Sequence, residues 1–241
     1  MSLQLPLFER EHYGDVQVRF GSLPLYFGPT RSVSSLPAIA LFLSVVISLY
    51  TDFFEATKHQ LRTHCGVYNF LPSISTAISF PWTSPIWTAL IYFHAPPRFL
   101  AYAVYRRWLP NGFWTRVCLS LYFIEILSLI SLTHYDSDSA HKKHVFSFTC
   151  FGIFSILHMI LHSRITAPLS SRVSARLKRR SLVVALGCIC ACGMLFVRHN
   201  SHCEPYVFSI FAGFEYTFVL ANIVFHSSFR HDFPDYALYA F

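Results

Sequence analysis

Charge is scarce in this chain. Asp, Glu, Lys and Arg supply 13% of its 241 residues, about half the share usual in a soluble domain. Six long apolar stretches and short loops use nearly all the length, so no separate soluble domain fits. No internal repeat or low-complexity tract stands out, and no inverted repeat of the kind that builds many transporters is visible. No cleavable signal peptide is evident either. The first strongly apolar stretch begins near Leu36, behind polar, proline-interrupted sequence, and reads as a retained signal-anchor helix. The His-Glu-x-x-His zinc motif is missing. Cys188, Cys190 and Cys192 alternate along a helix, so they point in different directions and read as small apolar fillers. His144 and His158 are separated by about 21 Å of helix rise and cannot share an ion. No metal and no cofactor is expected. The basic residues lie in loops between spans, which argues against nucleic acid as a partner.

What is present is apolar length. Leu36–Phe54, Pro85–Tyr105, Thr115–His134, Val145–Ile165, Ser181–Val197 and Tyr206–Ser228 are each about long enough to cross a bilayer as a helix. The expectation is an all-α polytopic membrane protein of six transmembrane helices. Residues 1–35 and 229–241 form tails around a membrane domain at 36–228. Loop charge orients it. Arg10, Arg19, Arg31, Arg106, Arg107, Arg116, Arg164, Arg172, Arg176, Lys178, Arg179, Arg180 and Arg230 fall on one side. The alternate loops hold Lys58, Arg62, Lys142, Lys143 and Arg198. The positive-inside rule then makes both termini cytosolic and places the loops near 55–84, 135–144 and 198–205 in a lumen or outside the cell. The run Arg172–Arg180 reads as an orienting loop able to touch anionic lipid. Asp15–Phe20 alternates apolar and polar residues and could lie along the cytosolic face.

Ionisable groups inside the spans mark a polar interior, because charge in hydrocarbon needs a partner or a wet cavity. In the second span, Pro96 and Pro97 remove two backbone donors, and His94 and Arg98 are four residues apart on one face. An ion pair of Arg98 with Glu125 or Glu215 is expected. His158 and His162 read as inter-helix hydrogen-bonding groups. Glu215, Asn222 and His226 fall within about 20° of one line at 100° per residue, so one helix turns a carboxylate, an amide and an imidazole inward.

The non-cytosolic loops offer further polar groups. Cys65 and Cys203 lie where disulfides persist. A bridge between them and two free thiols both fit the sequence. The segment His64–Ser75 is moderately apolar with turn formers Gly66, Asn69 and Pro72, and is expected to fold back over the bundle or dip into the interface. His64, Asn69, Ser73 and Ser75 would then face a lipid headgroup. His64, His144, His199 and His202 lie on this side by topology, with Asn69, Arg198 and Glu204. Asn200 completes the Arg198-His199-Asn200 run.

These runs carry a family likeness. Cys65–Ser75, His94–Phe99, Arg198-His199-Asn200 with Cys203-Glu204, and Phe214-Glu215-Tyr216 with Asn222 and His226 resemble the motifs of the post-GPI-attachment-to-proteins factor two family. That family sits in a wider group with the DRAM and Sfk types. The likeness runs from about residue 10 to 230 with the motifs in order, and departs from the pattern at Ser79, Thr88 and Val145. It implies a multi-pass Golgi factor in fatty-acid remodelling of GPI-anchored proteins, acting where lyso-GPI regains its sn-2 acyl chain. The partners implied are membrane lipid, lyso-GPI-anchored proteins and an acyl donor, acyl-CoA or phospholipid. The chain would be the acyltransferase itself, with His64, His144, His199 and His202 the candidate bases for the glycerol hydroxyl, Glu204 able to orient an imidazole, and Asn69 or Arg198 able to meet an oxyanion or phosphate; or it would be a non-catalytic lipid-binding scaffold for the remodelling enzyme. A transporter is the remaining reading.

Overall fold

A computed structural model of the chain describes residues 29–54 and 63–233. The described residues are helical, with no strand among them. The order is α1 Pro29–Phe54, α2 Ile74–Ser79, α3 Ser84–Trp108, α4 Phe113–His134, α5 His141–Thr166, α6 Arg172–His202, α7 Val207–Ser227 and α8 Phe229–Asp232. Five helices (α1, α4, α5, α6 and α7 running on into α8) are long and apolar enough to cross a membrane. α3 is as long as these, with 25 residues, but carries Arg98 within it and Arg106 and Arg107 in its last turn. The chain is a multi-pass membrane protein. Its outer surface agrees: Phe42, Phe146 and Met194 are 66%, 70% and 68% exposed, as lipid-facing groups are and soluble surfaces seldom are. The Asp15–Phe20 segment, Lys58 and Arg62 lie outside the described residues.

Short loops force neighbours in sequence to run antiparallel, and the closest pairs are α6 with α7, α4 with α5, and α1 with α3. Phe151, Met159, Cys188, Phe218 and Phe225 bind α5, α6 and α7 into one core. Tyr105, Tyr122, Phe229 and Phe233 tie α3 and α4 to the end of the chain. Leu41, Ile78, Trp87 and Ile91 join α1, α2 and α3. Cys188 and Cys192 are buried in the packing while Cys190 is exposed.

One expectation fails instructively. The run Arg172–Arg180 is not a loop but the opening turns of α6. Ser171 caps it, accepting from the Ser174 amide at 3.2 Å. Lys178 then points inward, 1% exposed. Its Nζ lies 2.6 Å from Asp232 Oδ2 and also donates to Ser170 and Thr166. The Tyr105 hydroxyl donates to the same Asp232 oxygen at 2.9 Å. Four helices are thus pinned at this end of the bundle. Asp232→Asn leaves the Lys178 ammonium without its counter-charge, and is expected to cost about 3–5 kcal/mol. The check is a lowered unfolding temperature in detergent; an unchanged one would show the pair to be idle.

The opposite end is held covalently. Cys65 and Cys203 form a disulfide. Gly66 turns the chain behind it at φ +64°, a conformation side chains rarely tolerate. The Tyr206 amide donates to the Tyr68 carbonyl at 3.0 Å. The amides of Phe70 and Leu71 both donate to Ser209 Oγ, and the Tyr216 hydroxyl donates to the Pro72 carbonyl at 2.8 Å. The 63–73 segment therefore folds back over the start of α7. Breaking the bridge with Cys65→Ser is expected to lower stability by about 2–5 kcal/mol. The measurement is thermal unfolding with and without reductant. The variant should have lost the reductant sensitivity that the wild type shows.

Candidate functional site

Two polar centres lie above the Lys178–Asp232 end. The deeper one surrounds Glu125 of α4, which has no exposed surface. Its Oε1 accepts from Arg98 Nη2 of α3 at 2.9 Å, Asn222 Nδ2 of α7 at 3.0 Å and His226 Nε2 of α7 at 2.9 Å. Its Oε2 accepts from His158 Nδ1 of α5 at 2.8 Å. Three donors thus crowd Oε1 and one meets Oε2. Tyr122 lies parallel to the His158 ring, centroids 4.5 Å apart, and the Arg98 guanidinium carbon stands 5.0 Å from the centre of the same tyrosine ring. Four helices meet on one buried anion. Of the two partners expected for Arg98, the structure selects Glu125.

Two of the Glu125 partners, Arg98 and Asn222, also line a small cavity of about 50 Å³ together with His94 and Glu215. Glu125, His158 and His226 stand close enough to ring a metal ion. The Arg98 guanidinium on the same oxygen opposes a second cation there. Cys118, His158 and His162 converge as well, with Cys118 Sγ 4.0 Å from His162 Nδ1.

The second centre faces space. A groove of about 670 Å³ runs between α5 and α6 under the 63–76 segment, a volume typical of small-ligand sites. Its lining mixes polar groups (His64, Ser75, Ser137, His141, His144, His199 and Glu215) with apolar ones (Phe148, Ile153, Ile189, Phe196, Phe208 and Phe211), and Phe208 packs on His199 with ring centroids 5.0 Å apart. From His141 to Ile153 it follows α5 for about 18 Å, roughly the depth of one leaflet. Gly152 sets its floor, since a Cβ there would sit 3.1 Å from Ile189 Cδ1.

Within the groove wall, His144 and Ser75 form a hydroxyl–imidazole pair. His144 Nδ1 lies 2.7 Å from the Tyr135 carbonyl. A carbonyl can only accept, so Nδ1 bears the hydrogen. In the neutral ring Nε2 is then an acceptor. Ser75 Oγ is 2.8 Å from that Nε2 and donates to it. Both partners are held. The Ile74 amide, one residue before Ser75, donates to Glu215 Oε2 at 2.9 Å. Ser79 and Ser137 hydroxyls donate to the Ser75 carbonyl. The connection that presents Tyr135 is ordered by Asp136, which accepts from the Ser139 hydroxyl and from the Ser139 and Asp138 amides. These bonds hold the Asp136 carboxyl below its ordinary range.

The remaining residues singled out in the sequence fall in several places. His199, 1% exposed, has Nε2 3.1 Å from Thr63 Oγ1 and its ring edge-on to the exposed His64. Arg198 and Glu204 pair with each other on the surface at 2.7 Å, so Glu204 does not orient an imidazole. Asn69 is buried and bonds the Val67 carbonyl at 3.2 Å; it is part of the fold of the loop. Ser73 caps α2, accepting from the Thr76 amide. Asn200 is exposed and donates to the Phe196 carbonyl. His94 is buried on the Arg98 face. Glu215, Asn222 and His226 share a face: Asn222 and His226 bond Glu125, Glu215 bonds the Ile74 amide and lines the groove, and Glu215 and Asn222 both line the small cavity between them. Ser75 as the partner of His144 is the feature that reading the chain does not supply. The two are 69 residues apart, and only the order of helices in the bundle brings them together.

Comparison with known proteins follows the same lines. Residues 32–236 match the profile of the Frag1/DRAM/Sfk1/Cwh43P N-terminal domain. The chain is 33% identical to "Post-GPI attachment to proteins factor 2" of Caenorhabditis briggsae, over 83% of this chain and 82% of the relative. It is 33% identical to the Drosophila melanogaster protein of that name, over 97% and 94% of the two chains. It is also 33% identical to "Acyltransferase PGAP2" of Xenopus tropicalis, over 83% and 84%. No solved structure matches it. In keeping with its loop motifs, the chain belongs to the Frag1/DRAM/Sfk1/Cwh43P family and, within it, to the post-GPI attachment to proteins factor 2 proteins.

Proposed function

We propose that this protein is a Golgi membrane acyltransferase that returns a fatty acyl chain to the sn-2 hydroxyl of lyso-GPI-anchored proteins. One observation carries the reading: a hydroxyl and an imidazole in hydrogen-bond contact, with the imidazole tautomer set by a carbonyl, in the wall of a groove that offers both polar and apolar surface. Acyl transfer to a hydroxyl needs a base within reach and apolar surface for the chain. His144 Nε2 is the base, and Phe148, Ile153 and Ile189 line the path of the chain. Two relatives, from Xenopus tropicalis and Danio rerio, are themselves named acyltransferases.

The topology proposed for it has six crossings, with α3 as the sixth, and both termini in the cytosol. Arg106, Arg107, Arg116, Arg164, Arg172, Arg176, Arg179 and Arg180 cluster at the Lys178 end of the bundle, the positive-inside end. The disulfide sits at the other end, where an oxidising lumen would keep it. His64, Ser137, His141 and His199 line the groove on the disulfide side, so lyso-GPI enters from the lumenal leaflet.

The test is purified protein alone in lipid nanodiscs, given lyso-GPI and isotopically labelled acyl donors. Formation of the diacyl product is the expected result. Tight binding of lyso-GPI with no product from any donor would overturn the reading and leave a lipid-presenting scaffold in its place.

A further inference from the structure

We infer that Ser75 is a nucleophile that carries the acyl chain as an ester between two half-reactions, and that the chain comes from a membrane phospholipid. The inference rests on the acyltransferase reading above and adds the order of events and the donor class.

Geometry supplies the first part. The hydroxyl bonded to His144 Nε2 is that of Ser75, with Oγ 2.8 Å from the nitrogen. An incoming lipid hydroxyl could reach the same nitrogen only by displacing it. A serine bonded to an imidazole whose far nitrogen is anchored is the arrangement that activates a hydroxyl for attack. The groove has a second hydroxyl–imidazole contact, Thr63 with His199. There the far nitrogen, Nδ1, meets no partner among the described residues, so nothing fixes its tautomer. Ser73 and Thr76 bond each other rather than a ring. Ser75 is also the better held group, through the Glu215, Ser79 and Ser137 contacts on its own and the preceding residue.

Charge supplies the second part. The groove lining contains no lysine or arginine among the described residues and includes two acidic side chains, Asp138 and Glu215. An acyl-CoA carries several phosphate charges and would meet no fixed cation among these described lining residues. A phospholipid brings one phosphodiester and two apolar chains, and it can slide in from the leaflet between α5 and α6.

The chemistry balances without another reactant. Ser75 Oγ attacks the acyl carbonyl of the phospholipid as His144 Nε2 takes its proton. The ester C–O bond to the donor glycerol breaks, and His144 returns the proton to that leaving oxygen, which departs as lysophospholipid. The lyso-GPI hydroxyl then gives its proton to His144 and attacks the Ser75 ester. Ser75 leaves as the alcohol, taking the proton back from the imidazole, and the diacyl anchor is formed.

The experiment omits the acceptor. Purified wild-type protein in nanodiscs is incubated with a phospholipid labelled in its acyl chain, quenched and digested. The expected result is label on the Ser75 peptide, removable by hydroxylamine, with one lysophospholipid released per labelled protein. Ser75→Ala should lose both this label and overall transfer, the latter by about a hundredfold or more. Ser75→Cys, which keeps the shape of the site, should trap the chain as a thioester. Three outcomes overturn the inference: full transfer by Ser75→Ala while His144→Ala is dead, which leaves direct transfer and the acyltransferase reading intact; label that appears only from acyl-CoA; and label on a residue other than Ser75. Failure of the wild type to transfer from any donor would instead sink the acyltransferase reading itself.

Discussion

Arg98→Met is expected to remove most of the folded protein. The substitution keeps an unbranched apolar stem and removes the guanidinium. Glu125 would then remain fully buried, with three donors where it had four and no permanent positive charge beside it. Breaking a buried pair from one side costs about 3–5 kcal/mol, a large fraction of the stability of any domain. Because Glu125 joins four helices, the loss should show as a single lowered unfolding transition in detergent and as poor recovery from membranes. The double variant Arg98→Met with Glu125→Leu removes both charges and should recover part of that stability. If Arg98→Met unfolds at the wild-type temperature, the Glu125 centre is not what holds the bundle together.

His144→Ala is expected to behave in the opposite way. Its melting temperature should stay within a few degrees of wild type, because the lost contacts are ordinary hydrogen bonds worth about 1 kcal/mol each. Acyl transfer should fall by about 10²- to 10⁴-fold, the usual contribution of a positioned base. Binding of lyso-GPI should persist, since the apolar wall is untouched. His199→Ala is the comparison: its ring lines the same groove but contacts Thr63 rather than Ser75, so its effect on transfer should be the smaller. A dead His199→Ala beside an active His144→Ala would reassign the base.

Much of the fold is legible in the amino-acid sequence, and the reason is physical. A bilayer demands about 20 apolar residues per crossing, so the apolar stretches mark the long helices directly. Helical periodicity likewise reveals the shared face of Glu215, Asn222 and His226 and the inward aim of Arg98. Periodicity stops at the surface of one helix, however. It cannot tell whether Arg98 meets Glu125 or Glu215, nor that Asn222 and Glu215 serve different centres. Those choices depend on which helices are neighbours. Lys178 misleads for a related reason. A cation in a basic run looks solvated until its counter-ion is known, and Asp232 lies 54 residues away. The Ser75–His144 pair is hidden most completely. Ser75 sits in the first turn of the short α2, and His144 begins a long apolar helix. Nothing local in either stretch points to the other.

The most direct measurement is side-specific acyl transfer. Protein is reconstituted in sealed vesicles in one orientation, fixed by protease access to the tails. Labelled lyso-GPI is then supplied to one leaflet at a time. Wild-type protein should acylate lipid on the Cys65–Cys203 side, and His144→Ala should not. Acylation confined to the Lys178 side, or unchanged in His144→Ala, would contradict the assignment of the α5–α6 groove as the reaction chamber.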